Sequence, residues 1–156
     1  MSVQVLMVCQ GNICRSPLMA ALFEQAWQGH PEAAQLVVVS AGLDPVYDHA
    51  TQEAVLAGRE LGVEVSGHRS RKISAGLVEA SRLVLTATQA MHRWVISRFP
   101  GVEPRLGSLG EYAGEPDGDI EDPYGRTLER YRKVAAQIQG YCVRAAGRLV
   151  AELRDE

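Results

Sequence analysis

A cysteine and an arginine six positions apart, Cys9 and Arg15, stand where the chain could do chemistry. Between them lie Gln10-Gly11-Asn12-Ile13-Cys14, and after them comes a Ser16-Pro17 pair. Ser16 is a good helix N-cap and Pro17 suits a first helical position, so the order predicts a loop that feeds straight into a helix. Unpaired amides at such a terminus, together with the positive end of the helix dipole, hold phosphate, sulfate or arsenate. Gly11 and Asn12 tolerate positive φ, which lets successive N–H groups turn inward as a nest. Arg15 adds a planar fork matched to two anionic oxygens. The same field acts on Cys9. A free thiol titrates near ~8.5, whereas thiols at helix N-termini or beside cations fall to roughly 3.5–7.5. Cys9 is thereby placed as a nucleophile facing a bound phosphoryl group. A lone cysteine is more often a small buried apolar residue, and that plain reading holds for Cys14 and Cys142 taken singly.

The elements that position this loop follow from apolar patterning. Val3–Val8 is a short apolar run that suits a strand buried on both faces of a parallel sheet. From Pro17 the apolar residues Leu18, Met19, Leu22, Phe23, Ala26 and Trp27 fall at helical spacing and stop near Gly29. Leu36–Val39 reads as a second buried strand, and Asp48 as the cap of a helix running to Leu61 and closed by Gly62. Gly67–Lys72 is polar and basic, with the look of a solvated turn. A short helix over Ala75–Ala80, a third strand at Leu83–Thr86 and a helix from Gln89 to Phe99, broken by Pro100, come next. Val102–Leu106 is a weakly signalled fourth strand, Gly107–Gly125 a long irregular stretch rich in glycine and acids, and Thr127–Leu153 a final helix. The apolar stripe of that last helix, from Leu128 and Tyr131 to Leu149 and Leu153, is expected to pack on the sheet. Alternating strands and helices give an α/β fold: one doubly wound domain over residues 1–156, a four-stranded parallel sheet with helices on both faces and the phosphate-binding loop after strand 1.

Composition narrows the class. A chain of 156 residues fits one domain with a core that needs no disulfide or metal staple. A net charge of −3 argues against nucleic acid or membrane-surface partners. No apolar run approaches the length of a membrane span, and the start lacks the pattern of a signal peptide. Three cysteines without a CxxC pair point to a reducing cytoplasm rather than to a disulfide or zinc framework.

Cys9 to Arg15 followed by Ser16-Pro17 resembles the phosphate-binding loop of the low-molecular-weight protein tyrosine phosphatases of the bacterial type. Ser40-Ala41-Gly42, Gly67-His68-Arg69 with Arg71 and Lys72, and Asp122-Pro123-Tyr124 follow in the family's order along the whole chain. The resemblance implies a phosphatase that hydrolyses phosphotyrosine in proteins through a cysteinyl-phosphate intermediate, without metal or cofactor. Its substrates would be phosphorylated proteins, with a bacterial tyrosine kinase as one candidate partner, and the enzyme would be a monomer or weak dimer. Catalytic roles fall to Cys9, Arg15 and Asp122, and phosphate binding to the loop Gln10, Gly11, Asn12, Ile13, Cys14, Arg15 and Ser16. Asn12, Ser40 and His68 would brace that loop, and Ile13, Tyr47 and Tyr124 would line the substrate pocket. Cys14 would be a redox partner for Cys9. For the acid the residues themselves leave the choice open among Glu111, Glu115, Asp117, Asp119, Glu121 and Asp122, although Pro123 could fix the direction of the Asp122 carboxyl. Thr88 departs from the pattern, since many family members carry an acidic residue there.

Other readings share parts of this pattern. A branch of the same family acts on phosphoarginine and tends to carry threonine where this chain has Ile13, so Ile13 points to phosphotyrosine, although the Asp-Pro-aromatic-Gly stretch looks more like that branch. Arsenate reductases need further cysteines to relay a disulfide, and Ala87–Trp94 contains none. A phosphocysteine carrier would have little use for Arg15 and Asp122. A non-catalytic phosphoprotein-binding module would leave the phosphate on its ligand.

Overall fold

The computed structural model describes residues 2–156. Strand β1 (Ser2–Cys9) is fully buried from Val5 to Cys9, as its unbroken apolar run requires. Helix α1 (Arg15–Trp27) buries Leu18, Met19, Leu22, Phe23 and Trp27 on the expected face. Strand β2 (Gln35–Gly42) pairs in parallel with β1 from Ser2↔Gln35 to Cys9↔Gly42. Helices α2 (Gln52–Glu60) and α3 (Ala75–Glu79) lead to β3 (Leu83–Thr86), which pairs with the other side of β1. Helix α4 (Gln89–Arg98), a 3-10 turn over Pro100–Arg105, β4 (Leu106–Ser108), the short α5 (Leu109–Tyr112) and the long α6 (Leu128–Arg154) complete the chain.

The sheet order is β2-β1-β3-β4, all parallel. Right-handed crossovers that run outward in opposite directions from β1 and β3 put α1 and α4 on opposite faces. The order reverses between β1 and β3, the place where open α/β sheets leave a crevice beyond their strand ends. Cys9 ends β1 at that crevice.

Several expected boundaries and contacts shift, each for a physical reason. Ser16 is not the N-cap of α1: the helix starts at Arg15 after Cys14, whose side chain makes no capping bond, and the Ser16 hydroxyl is committed elsewhere. Thr51 rather than Asp48 caps α2, accepting from the Ala54 N–H. β2 is an edge strand and therefore only half buried, with Val37 at 42% exposure. The fourth strand begins at Leu106, because Pro100 and Pro104 hold the preceding residues in a 3-10 turn. The stripe on α6 packs mainly on α1 and α2 rather than on the sheet, with the Cys142 thiol reaching the Met19 carbonyl at 3.6 Å. None of the described helices is long and apolar enough to cross a membrane.

Candidate active site

The loop from Cys9 to Arg15 curls around the Cys9 sulfur. The backbone N–H of Asn12 donates to Cys9 Sγ at 3.3 Å, and Ser16 Oγ lies 3.0 Å from it. Ser16 Oγ already accepts from Asn12 Nδ2 at 2.7 Å, so its single proton is free to point at the sulfur. Two donors thus converge on Cys9 Sγ. No backbone carbonyl among the described residues accepts from the N–H groups of Gly11, Ile13, Cys14, Arg15 or Ser16, which leaves these amides for an anion.

Asn12 holds the curl in place. It is fully buried, with φ at +58°, a left-handed conformation that asparagine tolerates better than most residues. Its Nδ2 donates to Ser16 Oγ and, at 3.0 Å, to Ser40 Oγ, while its Oδ1 accepts from the Arg71 N–H at 3.0 Å. Its carbonyl accepts from Ser70 Oγ at 3.0 Å and from His68 Nε2 at 2.6 Å. A carbonyl cannot donate, so the His68 proton sits on Nε2. Burial pushes the His68 pKa below the ordinary histidine value, against the opposing pull of the Asn12 hydrogen bond, and this favours a neutral ring. Gly42 closes the arrangement: a side chain there would meet Gln10 O at 2.8 Å and the Asn12 backbone at 3.0 Å. Asn12→Ala is expected to lower stability by about 2–3 kcal/mol in denaturant titrations, since it leaves the Arg71 N–H and the buried Ser16 and Ser40 hydroxyl oxygens without their partner. It should also cost about 10²-fold in kcat/KM through a misplaced loop. Asn12→Gly should recover part of the stability by relieving the positive φ, and little of the activity.

Arg15 is 5% exposed and reaches across to the loop before α6. Its Nη1 donates to the Ile120 carbonyl at 2.9 Å, and its Nη2 lies 3.6 Å from Asp122 Oδ2. Ile120 anchors that loop, buried to 1% exposure with its own N–H bonded to the Ala87 carbonyl. Asp122 Oδ1 accepts from the Tyr124 N–H at 3.1 Å, which orients the carboxyl. Gly118 lets the same loop lie on α6, because a Cβ there would sit 2.4 Å from Tyr141 Oη. The pocket over Cys9 is lined by Gln10, Gly11, Ile13, Cys14, Arg15, Asp44, Val46, Tyr47, Asp122 and Tyr124. The Tyr47 and Tyr124 rings stack at its mouth, 6.3 Å between centroids and 17° from parallel.

Beneath the loop a chain of hydroxyls runs to Cys14. Thr51 Oγ1 accepts from the Ala54 N–H and donates to Tyr131 Oη at 3.2 Å, so the Tyr131 proton is left for Cys14 Sγ at 3.3 Å. Burial pushes the Cys14 thiol up, with hydrogen bonding to Tyr131 and to Thr51 Oγ1, 3.7 Å from the sulfur, acting the other way. The Thr51 N–H also donates to the Ile13 carbonyl at 2.9 Å.

A family model for the low molecular weight phosphotyrosine protein phosphatases matches residues 4–156. The chain belongs to that family. It is 31% identical to the protein-arginine-phosphatase of Geobacillus stearothermophilus over 153 residues, 97% of this chain and 99% of that one. It is 33% identical to the probable low molecular weight protein-tyrosine-phosphatase EpsP of Ralstonia solanacearum over 139 residues, 86% of this chain and 88% of the other. Among solved structures it is similar to a YwlE arginine phosphatase mutant whose active-site serine is phosphorylated. That match has a TM-score of 0.90 at 28% identity and covers 99% of this chain and 100% of the other.

The family's motif residues in this chain lie at one place. Cys9, Arg15 and Asp122 meet at the pocket, with Ile13, Tyr47 and Tyr124 on its lining and Asn12, Ser40 and His68 joined behind it. Gly67–Lys72 is a brace rather than a solvated turn, since His68, Ser70 and Arg71 all bond Asn12. Ser70, Ile120 and Asp44 escape sequence reasoning, as does the bond that Arg71, a motif residue, makes to Asn12. Ile120 carried a signal, as one of only two large aliphatic residues, with Leu109, in the acidic, glycine-rich stretch Gly107–Gly125. The other three sit in polar loops whose partners only the tertiary fold decides. Thr88, the departure from the family pattern, caps α4 by accepting from the Met91 N–H. No cluster of three or more metal-binding side chains occurs among the described residues.

Proposed function

We propose that this phosphatase hydrolyses phosphotyrosine in proteins, with Cys9 as the nucleophile. The loop amides and Arg15 take the phosphoryl oxygens, and the Cys9 sulfur, as thiolate, attacks phosphorus in line with the departing oxygen. Arg15 stabilises charge on the equatorial oxygens as they flatten. Asp122 gives its proton to the leaving phenol oxygen. In the second step its carboxylate takes a proton from the water that cleaves the sulfur–phosphorus bond, releasing phosphate. Ser16 stabilises the sulfur as it leaves. In this reading Asn12, Ser40 and His68 hold the loop's shape, and Cys14 stands as redox partner to Cys9. All three cysteines are free, in keeping with action in a reducing cytoplasm.

The observation that carries the choice of substrate is the pocket wall. Ile13 is buried next to Cys9, and the Tyr47–Tyr124 stack stands above it, so a flat apolar ring meets apolar surface on its way to the sulfur. Phosphoarginine is the second reading, favoured by the similarity to the Geobacillus protein-arginine-phosphatase. Rates on matched phosphotyrosine and phosphoarginine peptides separate the two. Phosphotyrosine is expected to be preferred by about tenfold or more in kcat/KM, the scale of a few apolar contacts. Ile13→Thr should move the ratio toward phosphoarginine, and an equal or reversed preference in the wild type would favour the second reading.

A further inference from the structure

The pocket built to receive a phosphoryl dianion contains a second carboxylate, Asp44. Its partner in sign, Asp122, lies beside Arg15 and accepts from the Tyr124 N–H. Asp44 has neither aid: among the described residues no Lys, Arg or His lies within 4.0 Å of its carboxylate. Its position is nonetheless fixed, because the Leu43 N–H donates to the Cys9 carbonyl and the Asp44 N–H to the Gln10 carbonyl, both at 3.0 Å. An unpaired negative charge held beside an anion pocket opposes the substrate's phosphoryl group unless the substrate brings a cation with it.

Depth in the pocket decides where that cation sits. Ile13, buried beside Cys9, faces the phosphorylated side chain itself, whereas Asp44, Val46 and Tyr47 are exposed at the mouth. We propose that Asp44 selects substrates that carry a lysine or arginine next to the phosphotyrosine, the substrate's cation supplying the ion pair that Asp44 lacks. An arginine there gains a second contact surface, since Tyr47 and Tyr124 are 57% and 49% exposed and guanidinium groups pack on aromatic faces. The inference rests on the phosphotyrosine reading above and adds to it a rule for the neighbouring sequence.

The test uses one phosphotyrosine peptide in three forms, with Arg, Ala or Glu flanking the phosphotyrosine, assayed at low ionic strength. The wild type should prefer Arg over Ala by about fivefold in kcat/KM, the upper end for an exposed ion pair, and Glu should be the poorest. Asp44→Asn should flatten the series and Asp44→Lys should reverse it; added salt should shrink the wild-type preference. Ratios within one variant are independent of how much of it folds. A wild type indifferent to the flanking residue, or an Asp44→Asn series that matches the wild type, would overturn the proposal. So would an Asp44→Asn loss greater on a phosphoarginine peptide than on the Arg-flanked phosphotyrosine peptide, which would place the carboxylate on the leaving group instead. If the wild type hydrolyses neither these peptides nor p-nitrophenyl phosphate, the phosphatase reading itself fails, and the Asp44 rule falls with it.

Discussion

Cys9→Ser is expected to lose p-nitrophenyl phosphate turnover by about 10⁵-fold or more while still binding vanadate. Serine keeps the shape of the site, so the Asn12 amide, the Ser16 hydroxyl and the Arg15 guanidinium remain around the anion. What is lost is the sulfur, and the hydroxyl that replaces it is a far weaker nucleophile because no adjacent base takes its proton: the nearest groups, the Asn12 N–H and the Ser16 hydroxyl, both donate. Isothermal titration with vanadate and a release assay make the comparison directly. A variant that neither binds nor turns over would indicate a collapsed loop, and one that retains turnover would remove Cys9 from the chemistry.

Asp122→Ala is the second large effect, and its signature is a dependence on the leaving group. General acid catalysis contributes about 10²–10⁴-fold, and the contribution is greatest where the departing oxygen is most basic. Phenyl phosphate and phosphotyrosine peptides should therefore lose far more rate than p-nitrophenyl phosphate. The geometry supports this residue over the other acids of the segment. Glu121 is paired with Arg130 at 3.0 Å, Asp119 accepts from the Gln89 N–H, and Glu115 reaches Arg144, whereas Asp122 alone among them lines the pocket. Equal losses on both substrates would take the acid role away from Asp122.

The parts of the molecule legible in the sequence are those whose signal is local. Buried strands β1 and β3 announce themselves as apolar runs, α1 and α6 as stripes, and the phosphate loop as a cysteine, a turn and an arginine before a helix. Errors gather where two roles compete for one residue. Ser16 looks like a cap because serine usually is one, yet its hydroxyl serves the Cys9 sulfur and the Asn12 amide, so the helix begins without a side-chain cap. α6 has the stripe expected of a sheet-packing helix, but α1 already covers the β1–β2 face, and α6 packs on α1. The brace formed by Ser70 and Arg71 is illegible for a different reason. It joins positions 58 and 59 residues away from Asn12, through groups that any solvated turn could carry. Asp122 needed the family resemblance, since six carboxylates in one flexible-looking stretch offer the same chemistry until the fold aims one of them.

The ties that reach Cys14 and Arg15 come from far along the chain. Tyr131 lies 117 positions beyond Cys14, and the Ile120 carbonyl 105 beyond Arg15. The first strand ends at Cys9, but the groups that seat its loop are supplied only when segments more than a hundred positions later have folded back on it. The loop sequence alone therefore does not set the site: a fragment of this chain that stopped short of Ile120 would carry the cysteine without its setting.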